Sequence, residues 1–219
     1  MPSDSARPAP FVFPANALVC IVDDEEGIRK SLARLFRSAG VAAGTFASGR
    51  AFLDRPAHDG PWCVVLDVRM PGLGGLELQE SLDRSKAQII FLTGHGDVPM
   101  CADAMKAGAV DFLTKPVEDD VLLAAVGRAL TRSIEIRKAQ AGRLSARSRL
   151  NTLTPRVFEV MRRVIAGLLN KQIADELGAA EKTIKIHRGR VMEKMGVISV
   201  ADLVRVAQAA GISPATSTV

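Results

Sequence analysis

The stretch that most limits the possible folds is Val64-Val65-Leu66-Asp67-Val68-Arg69-Met70-Pro71-Gly72-Leu73-Gly74-Gly75-Leu76. A short apolar run bounded by a Pro/Gly-rich turn is the pattern of a parallel strand buried on both faces. Asp67 then stands at the carboxyl end of that strand, the edge at which open α/β sheets bind ligands.

The pattern recurs along the chain. Leu18–Val22 runs into Asp23-Asp24-Glu25-Glu26, and Ile28, Leu32, Leu35 and Phe36 follow at helical spacing until Gly40. The same reading predicts strands over 41–46, 88–93 and 110–114. It predicts helices over 49–54 (capped by Ser48), 76–83 and 97–107, and a long helix from Val117. Alternating strands and helices of these lengths predict a parallel sheet covered on both faces, five strands in the flavodoxin-like order 2-1-3-4-5. That order brings Asp23/Asp24, Asp67, Thr93 and Lys115 to one sheet edge.

Charge divides the chain. Residues 1–140 carry 16 Lys and Arg against 18 Asp and Glu, a net −2, and residues 141–219 carry 13 against 6, a net +7. A basic excess confined to the last third predicts a polyanion partner for that part. The expected division is a tail over 1–16, an α/β domain over 17–134, a partly helical linker over 135–151 and an all-α domain over 152–219. No apolar run reaches membrane-span length and the start lacks a signal pattern, so a cytoplasmic protein without membrane contact is expected. Cys20, Cys63 and Cys101 sit in apolar segments and read as packing residues. His58, His95 and His187 are scattered and none reads as a metal ligand.

Carboxylates converging at one sheet edge repel each other and call for a cation. Oxygen donors suit a hard ion that keeps several waters, Mg²⁺ or Mn²⁺. Lys115 adds a fixed positive charge and Thr93 a hydroxyl donor. Together these suit transfer of a phosphoryl group to Asp67 as an acyl phosphate.

Asp23-Asp24, Asp67-x-x-Met70-Pro71, Thr93-Gly94, Phe112 and Lys115-Pro116 resemble the receiver domain of two-component response regulators. Gly94-His95-Gly96-Asp97-Val98-Pro99-Met100 and residues 104–112 resemble, more narrowly, the FixJ subgroup. The resemblance implies Asp67 as phosphoacceptor, and Asp24, Asp67 and the backbone carbonyl of Arg69 as metal ligands, with Asp23 acting through a metal-bound water. It implies Lys115 and Thr93 on the phosphoryl oxygens and Phe112 as the aromatic that turns inward when Thr93 moves. Gly74 stands where many relatives carry an acid. A haloacid-type phosphatase would need a second Asp two residues after the nucleophile, where this chain has Arg69.

Residues 152–219 read as helices only. Thr154-Pro155 is a capped start, and Asn170 is expected to cap the next helix. Leu153-Thr154-Pro155-Arg156, Gly167-x-x-Asn170-Lys171-x-Ile173-Ala174 and Lys182-Thr183-Ile184-Lys185-x-His187 resemble the LuxR/NarL-type four-helix domain with its helix-turn-helix. The resemblance implies a recognition helix over Glu181–Met195 in the major groove of an operator. Ile184, Val191 and Met195 are expected inward. Lys182, Lys185, Ile186 and Gly189, with Thr183 beside them, are expected at base edges, and Arg188 and Arg190 at phosphates. Ala180 replaces the usual Ser/Thr cap, and Gly189 costs about 1 kcal/mol relative to Ala in a helix interior.

These readings predict a DNA-binding transcription regulator, a switch and not a metabolic enzyme. Its partners would be a sensor histidine kinase, an operator, a second copy when phosphorylated, and RNA polymerase. The alternative is a phosphorylation-independent regulator controlled by protein contacts or a small ligand.

Overall fold

The computed structural model describes residues 12–83, 87–94, 96 and 98–215; residues 1–11 of the predicted tail 1–16, with His95 and Asp97, lie outside them. Two compact units divide after Arg137: Met1–Arg137 and Lys138–Val219.

The N-terminal unit holds β1 Leu18–Val22, β2 Ala42–Phe46, β3 Trp62–Leu66, β4 Ile89–Thr93 and β5 Asp111–Thr114. All neighbouring pairs are parallel, in the order β2-β1-β3-β4-β5. Helices α1 Glu26–Ser38, α2 Gly49–Leu53, α3 Gly75–Ser81, α4 Val98–Lys106 and α5 Asp119–Leu150 connect and follow the strands. Successive strand residues face opposite sides, so each apolar run feeds two cores. Val19, Ile21, Cys63, Val65, Ile90 and Leu92 pack with Leu32 and Phe36 of α1 and with Leu122, Val126 and Leu130 of α5. Cys20, Val22, Val64, Leu66, Ile89 and Phe91 pack with Phe52, Leu78 and Ala104 of α2, α3 and α4. This double burial is why the strands are apolar at every position instead of alternating. It also places Cys20 and Cys63 in the core, where burial pushes both thiols up, that of Cys20 to about 11. Cys101 is half-buried.

Turn chemistry agrees with sequence at Ser48, whose Oγ accepts the Ala51 amide at 3.2 Å. After β3 the chain doubles back so tightly that a Cβ on Gly75 would lie 2.3 Å from the Asp67 carbonyl oxygen. Only glycine fits there.

Of the residues 135–151 expected as a partly helical linker, 135–150 are helical throughout and complete α5, a helix of 32 residues. Good helix formers alone do not secure such a length. Here Ala146 is buried, Leu150 packs on the third core, and Arg149 Nη1 donates to the Met195 carbonyl at 2.7 Å. The end of α5 thus belongs to the C-terminal unit.

That unit contains α6 Pro155–Ile165, α7 Asn170–Leu177, α8 Glu181–Met195 and α9 Val200–Ala209. Val157, Val160, Met161 and Val164 of α6 meet Ile173 of α7, Ile184, Val191 and Met195 of α8 and Leu203 of α9. Thr154 caps α6, and its Oγ1 accepts the Val157 amide at 3.4 Å. The expected cap at Asn170 is corrected by the structure. Leu169 is the N-cap residue of α7, and Gln172 Oε1 accepts its amide at 2.8 Å. Asn170 begins the helix, and its side chain serves α8 instead. Gly178 (φ 59°) and Gly196 (φ 61°) close α7 and α8 in the left-handed conformation.

Candidate functional site

The parallel sheet aligns the carboxyl ends of β1, β3, β4 and β5, and the polar residues just beyond them converge. Asp23 (3% exposed), Asp67 (7%) and Thr93 (1%) are buried polar residues at the ends of apolar strands. Lys115, one residue past β5 and just before a cis Lys115–Pro116 peptide, reaches across the edge. Its Nζ lies 2.7 Å from Asp23 Oδ2, 3.1 Å from Asp67 Oδ2 and 3.8 Å from Glu25 Oε1. Burial alone would lower the ammonium's pKa. Hydrogen bonds that the ammonium donates to Asp23 and Asp67, with the charges of those carboxylates, outweigh it and hold the group above its ordinary value. Asp23 Oδ1 accepts the Glu25 amide at 2.8 Å, and Asp67 Oδ1 the Arg69 amide at 3.3 Å.

Oxygens of Asp23, Glu25 and Asp67 lie within 4.8 Å of one another. Asp24, expected as a ligand, is exposed and outside that group; Glu25, not expected, is inside it. Arg29 Nη1 donates to the Asp23 carbonyl at 2.7 Å and to the Asp24 carbonyl at 2.8 Å, bridging the backbone of the turn that carries these acids. A sequence signal for this existed: Arg29 is a cation near the start of α1, where the helix dipole favours anions. A hard divalent cation fits the donor set. Every donor is a carboxylate oxygen, and the cluster already binds a positive charge, the Lys115 ammonium, between its two buried members.

Phe112 is half-buried, its ring centroid 5.9 Å from that of Phe91, the residue it pairs with across β4 and β5. Gly96 lies against both switch candidates. A Cβ there would stand 2.7 Å from Phe112 Cε1 and 3.4 Å from Thr93 Cγ2.

In the C-terminal unit, α8 buries Ile184, Val191 and Met195 and exposes Lys182, Thr183, Lys185, Ile186 (50%), Gly189 and Arg190. The basic residues sort into two sets. Arg149, Arg156, Arg163, Lys194 and Arg205 bond to carbonyls or carboxylates of their own unit. Lys182, Lys185 and Arg190 have no hydrogen bond or ion pair among the described residues. Arg188 differs from the expectation that it faces a phosphate. It is half-buried, and its Nη1 donates to Asn170 Oδ1 at 3.2 Å, tying α8 to the start of α7. As expected, Ala180 begins α8 without a side-chain cap.

An acidic pocket at the carboxyl edge of a 2-1-3-4-5 sheet and an uncompensated basic helix define a class that joins a receiver to a DNA-binding domain. Residues 19–127 match the family described as response regulator receiver domain. Residues 151–207 match bacterial regulatory proteins of the luxR family. The chain belongs to the two-component response regulators of the FixJ/NarL type, transcription regulators with a LuxR-type helix-turn-helix. It is 49% identical to nodulation protein W of Bradyrhizobium diazoefficiens, over 90% of this chain and 88% of the relative. It is 42% identical to the transcriptional regulatory protein FixJ of Azorhizobium caulinodans, over 93% and 97%. Among solved structures it resembles the response regulator StyR, with TM-score 0.78 and 43% identity over 89% of this chain and 99% of that one. Receiver domains bind Mg²⁺ at an acidic cluster such as the one formed here. No helix among the described residues is long and apolar enough to cross a membrane.

Proposed function

We propose that this regulator is switched by transfer of a phosphoryl group from a sensor histidine kinase to Asp67. The observation that carries the reading is Lys115 Nζ between Asp23 Oδ2 and Asp67 Oδ2 at the carboxyl edge of the sheet. An Asp67 oxygen bonds to phosphorus as the phosphorus–nitrogen bond of the kinase's phosphohistidine breaks, and the imidazole departs with a proton from water. Mg²⁺ or Mn²⁺ would be held by Asp23 and Asp67, with Asp24 and the Arg69 carbonyl as further donors, and would supply positive charge against the phosphoryl oxygens. Lys115 exchanges its bond with Asp67 for one to a phosphoryl oxygen, and the Thr93 hydroxyl donates to another. Gly96 leaves room for the Phe112 ring and the Thr93 methyl to rearrange together.

The reorganised β5 and α4 surface then favours a second copy, and a two-fold dimer presents two α8 helices to two half-sites of an operator. The protein is a cytoplasmic switch that recruits or blocks RNA polymerase. It catalyses its own phosphorylation and no metabolic reaction. The alternative, a regulator with an idle pocket, gains one point from the structure, because Lys115 already compensates part of the buried negative charge. Acetyl phosphate with Mg²⁺ separates the two. The wild type should take up one base-labile phosphoryl group and Asp67→Asn none; equal labelling of both by mass spectrometry overturns the assignment.

A further inference from the structure

The acidic loop after β1 faces a physical problem. Asp23, Asp24, Glu25 and Glu26 are consecutive, Asp23 is buried, and Asp23 and Glu25 share one small space with Asp67. Left to itself, such a run would spread its carboxylates apart and into water. Two devices oppose this. Lys115 neutralises side chains from across the sheet edge. Arg29 acts on the backbone from within α1, where its Nη1 bridges the Asp23 and Asp24 carbonyls at 2.7 and 2.8 Å. Charge-assisted bonds of this length are strong, and a single nitrogen joining two successive carbonyls fixes the peptide between them. Neither bond is to a carboxylate, so Arg29 leaves every acidic oxygen available.

We infer that Arg29 is a positioning residue for the divalent cation: by clamping the Asp23–Asp24 backbone it pre-forms the oxygen cluster that receives the ion. The inference rests on the reading of the pocket as a metal-dependent phosphoacceptor site. Lys115 and Arg29 have different fates in that scheme. Lys115 shares the carboxylate oxygens and must redistribute when a cation or phosphoryl group arrives. Arg29 holds carbonyls that face α1 and stays in place throughout. Two electrostatic consequences compete when it is removed. Losing the clamp lets the loop relax and weakens cation binding, whereas losing a nearby positive charge strengthens it. Partners that orient ligands are worth about 10–100-fold in metal affinity. The half-buried Arg29 guanidinium donates to two backbone carbonyls and forms no ion pair with the acidic cluster among the described residues. The clamp should therefore dominate.

The test is Mn²⁺ binding to the full chain by electron paramagnetic resonance, with folding followed by circular dichroism. Arg29→Ala should remain folded and bind Mn²⁺ roughly 10–100-fold more weakly than the wild type. Arg29→Lys keeps the charge and can make one of the two bonds, and should recover part of the loss. Labelling by acetyl phosphate in Arg29→Ala should return to the wild-type rate at saturating Mg²⁺, a rescue that a general folding defect would not show. Affinity within about threefold of wild type, or tighter binding, overturns the inference, as does a labelling defect that no Mg²⁺ concentration repairs. If Arg29→Ala does not fold, Arg29→Gln, which keeps an amide donor on a shorter side chain, takes its place with the same criteria. Failure of the wild type itself to bind Mn²⁺, or unchanged binding in Asp67→Asn with Asp23→Asn, would instead overturn the reading of the pocket.

Discussion

The two charged regions of this regulator are built on opposite principles. In the receiver pocket Asp23 and Asp67 are buried, and both pair with Lys115. On the recognition helix Lys182, Lys185 and Arg190 are exposed, and none has a partner among the described residues. Buried charges cost too much to leave uncompensated, so the pocket holds its own counter-ion. Exposed cations cost little, and they attract a polyanion through a field that salt screens. One region is therefore suited to a local chemical event, and the other to a long, salt-sensitive contact. The C-terminal unit makes the distinction within itself. Its structural cations, such as Arg149 and Arg163, are bonded inward, and Arg188 joins them through Asn170.

Removing the pocket's own counter-ion should have the largest effect on stability. Without divalent cation, Lys115→Met leaves two buried carboxylates unpaired and should cost about 3 kcal/mol, the low end for a broken buried pair because the lysine is 16% exposed. Mg²⁺ should raise the melting temperature of this variant more than that of the wild type. The sign of the pH dependence follows from the raised Lys115 pKa. Its contribution is complete below the unfolded value, about 10.4, and is lost only as pH climbs through the higher folded value. The stability gap between wild type and variant should thus hold from neutral pH to about 10 and narrow above it. Calorimetry showing a gap that closes near neutrality would contradict the pairing.

On the exposed side the effects are smaller and of another kind. Lys185→Ala should cost about 1–3 kcal/mol at the preferred operator and relax preference at one base pair. Arg190→Ala should weaken all sequences alike and reduce the salt slope by roughly 1. Arg188→Ala should instead lower the stability of the C-terminal unit and leave the salt slope nearly unchanged, because its partner is Asn170. Fluorescence anisotropy across a salt series, beside thermal melts, distinguishes the three. A full unit of slope lost on Arg188→Ala would return that residue to the DNA face.

The smallest effect belongs to Gly189. An added Cβ there meets nothing within 4 Å, so Gly189→Ala should stabilise α8 by up to about 1 kcal/mol. If the site faces bases closely, the same change should weaken operator binding while the melting temperature rises.

The unequal legibility of the two regions in sequence has the same physical origin. Strands buried on two faces are apolar at every position, so Val64–Leu66 and Ile89–Leu92 announce themselves, and Asp67 and Thr93 follow as the first polar residues at their ends. The order 2-1-3-4-5 followed from that alternation. What sequence missed depends on partners distant in the chain. The end of α5 looked like a linker because Ala146 and Leu150 are sparse apolar positions, whose burial depends on the C-terminal unit's fold. Asn170 has the composition of a cap, yet Arg188, eighteen residues on, claims its side chain. Asp24 and Glu25 are alike as acids in a loop. Only the fold shows which of these two exposed acids brings an oxygen near Asp23 and Asp67.

We propose that chemistry in the buried pocket governs the exposed face through dimerisation. Sedimentation velocity with and without acetyl phosphate and Mg²⁺, paired with binding to operators of one and two half-sites, tests it most directly. Phosphorylated wild type should shift from monomer to dimer and tighten on the two-half-site operator by ~10²–10⁴-fold, since the second contact becomes intramolecular. A single half-site should gain far less, and Asp67→Asn nothing on either. A phosphorylated protein that stays monomeric while its affinity for a single half-site rises equally would contradict the claim.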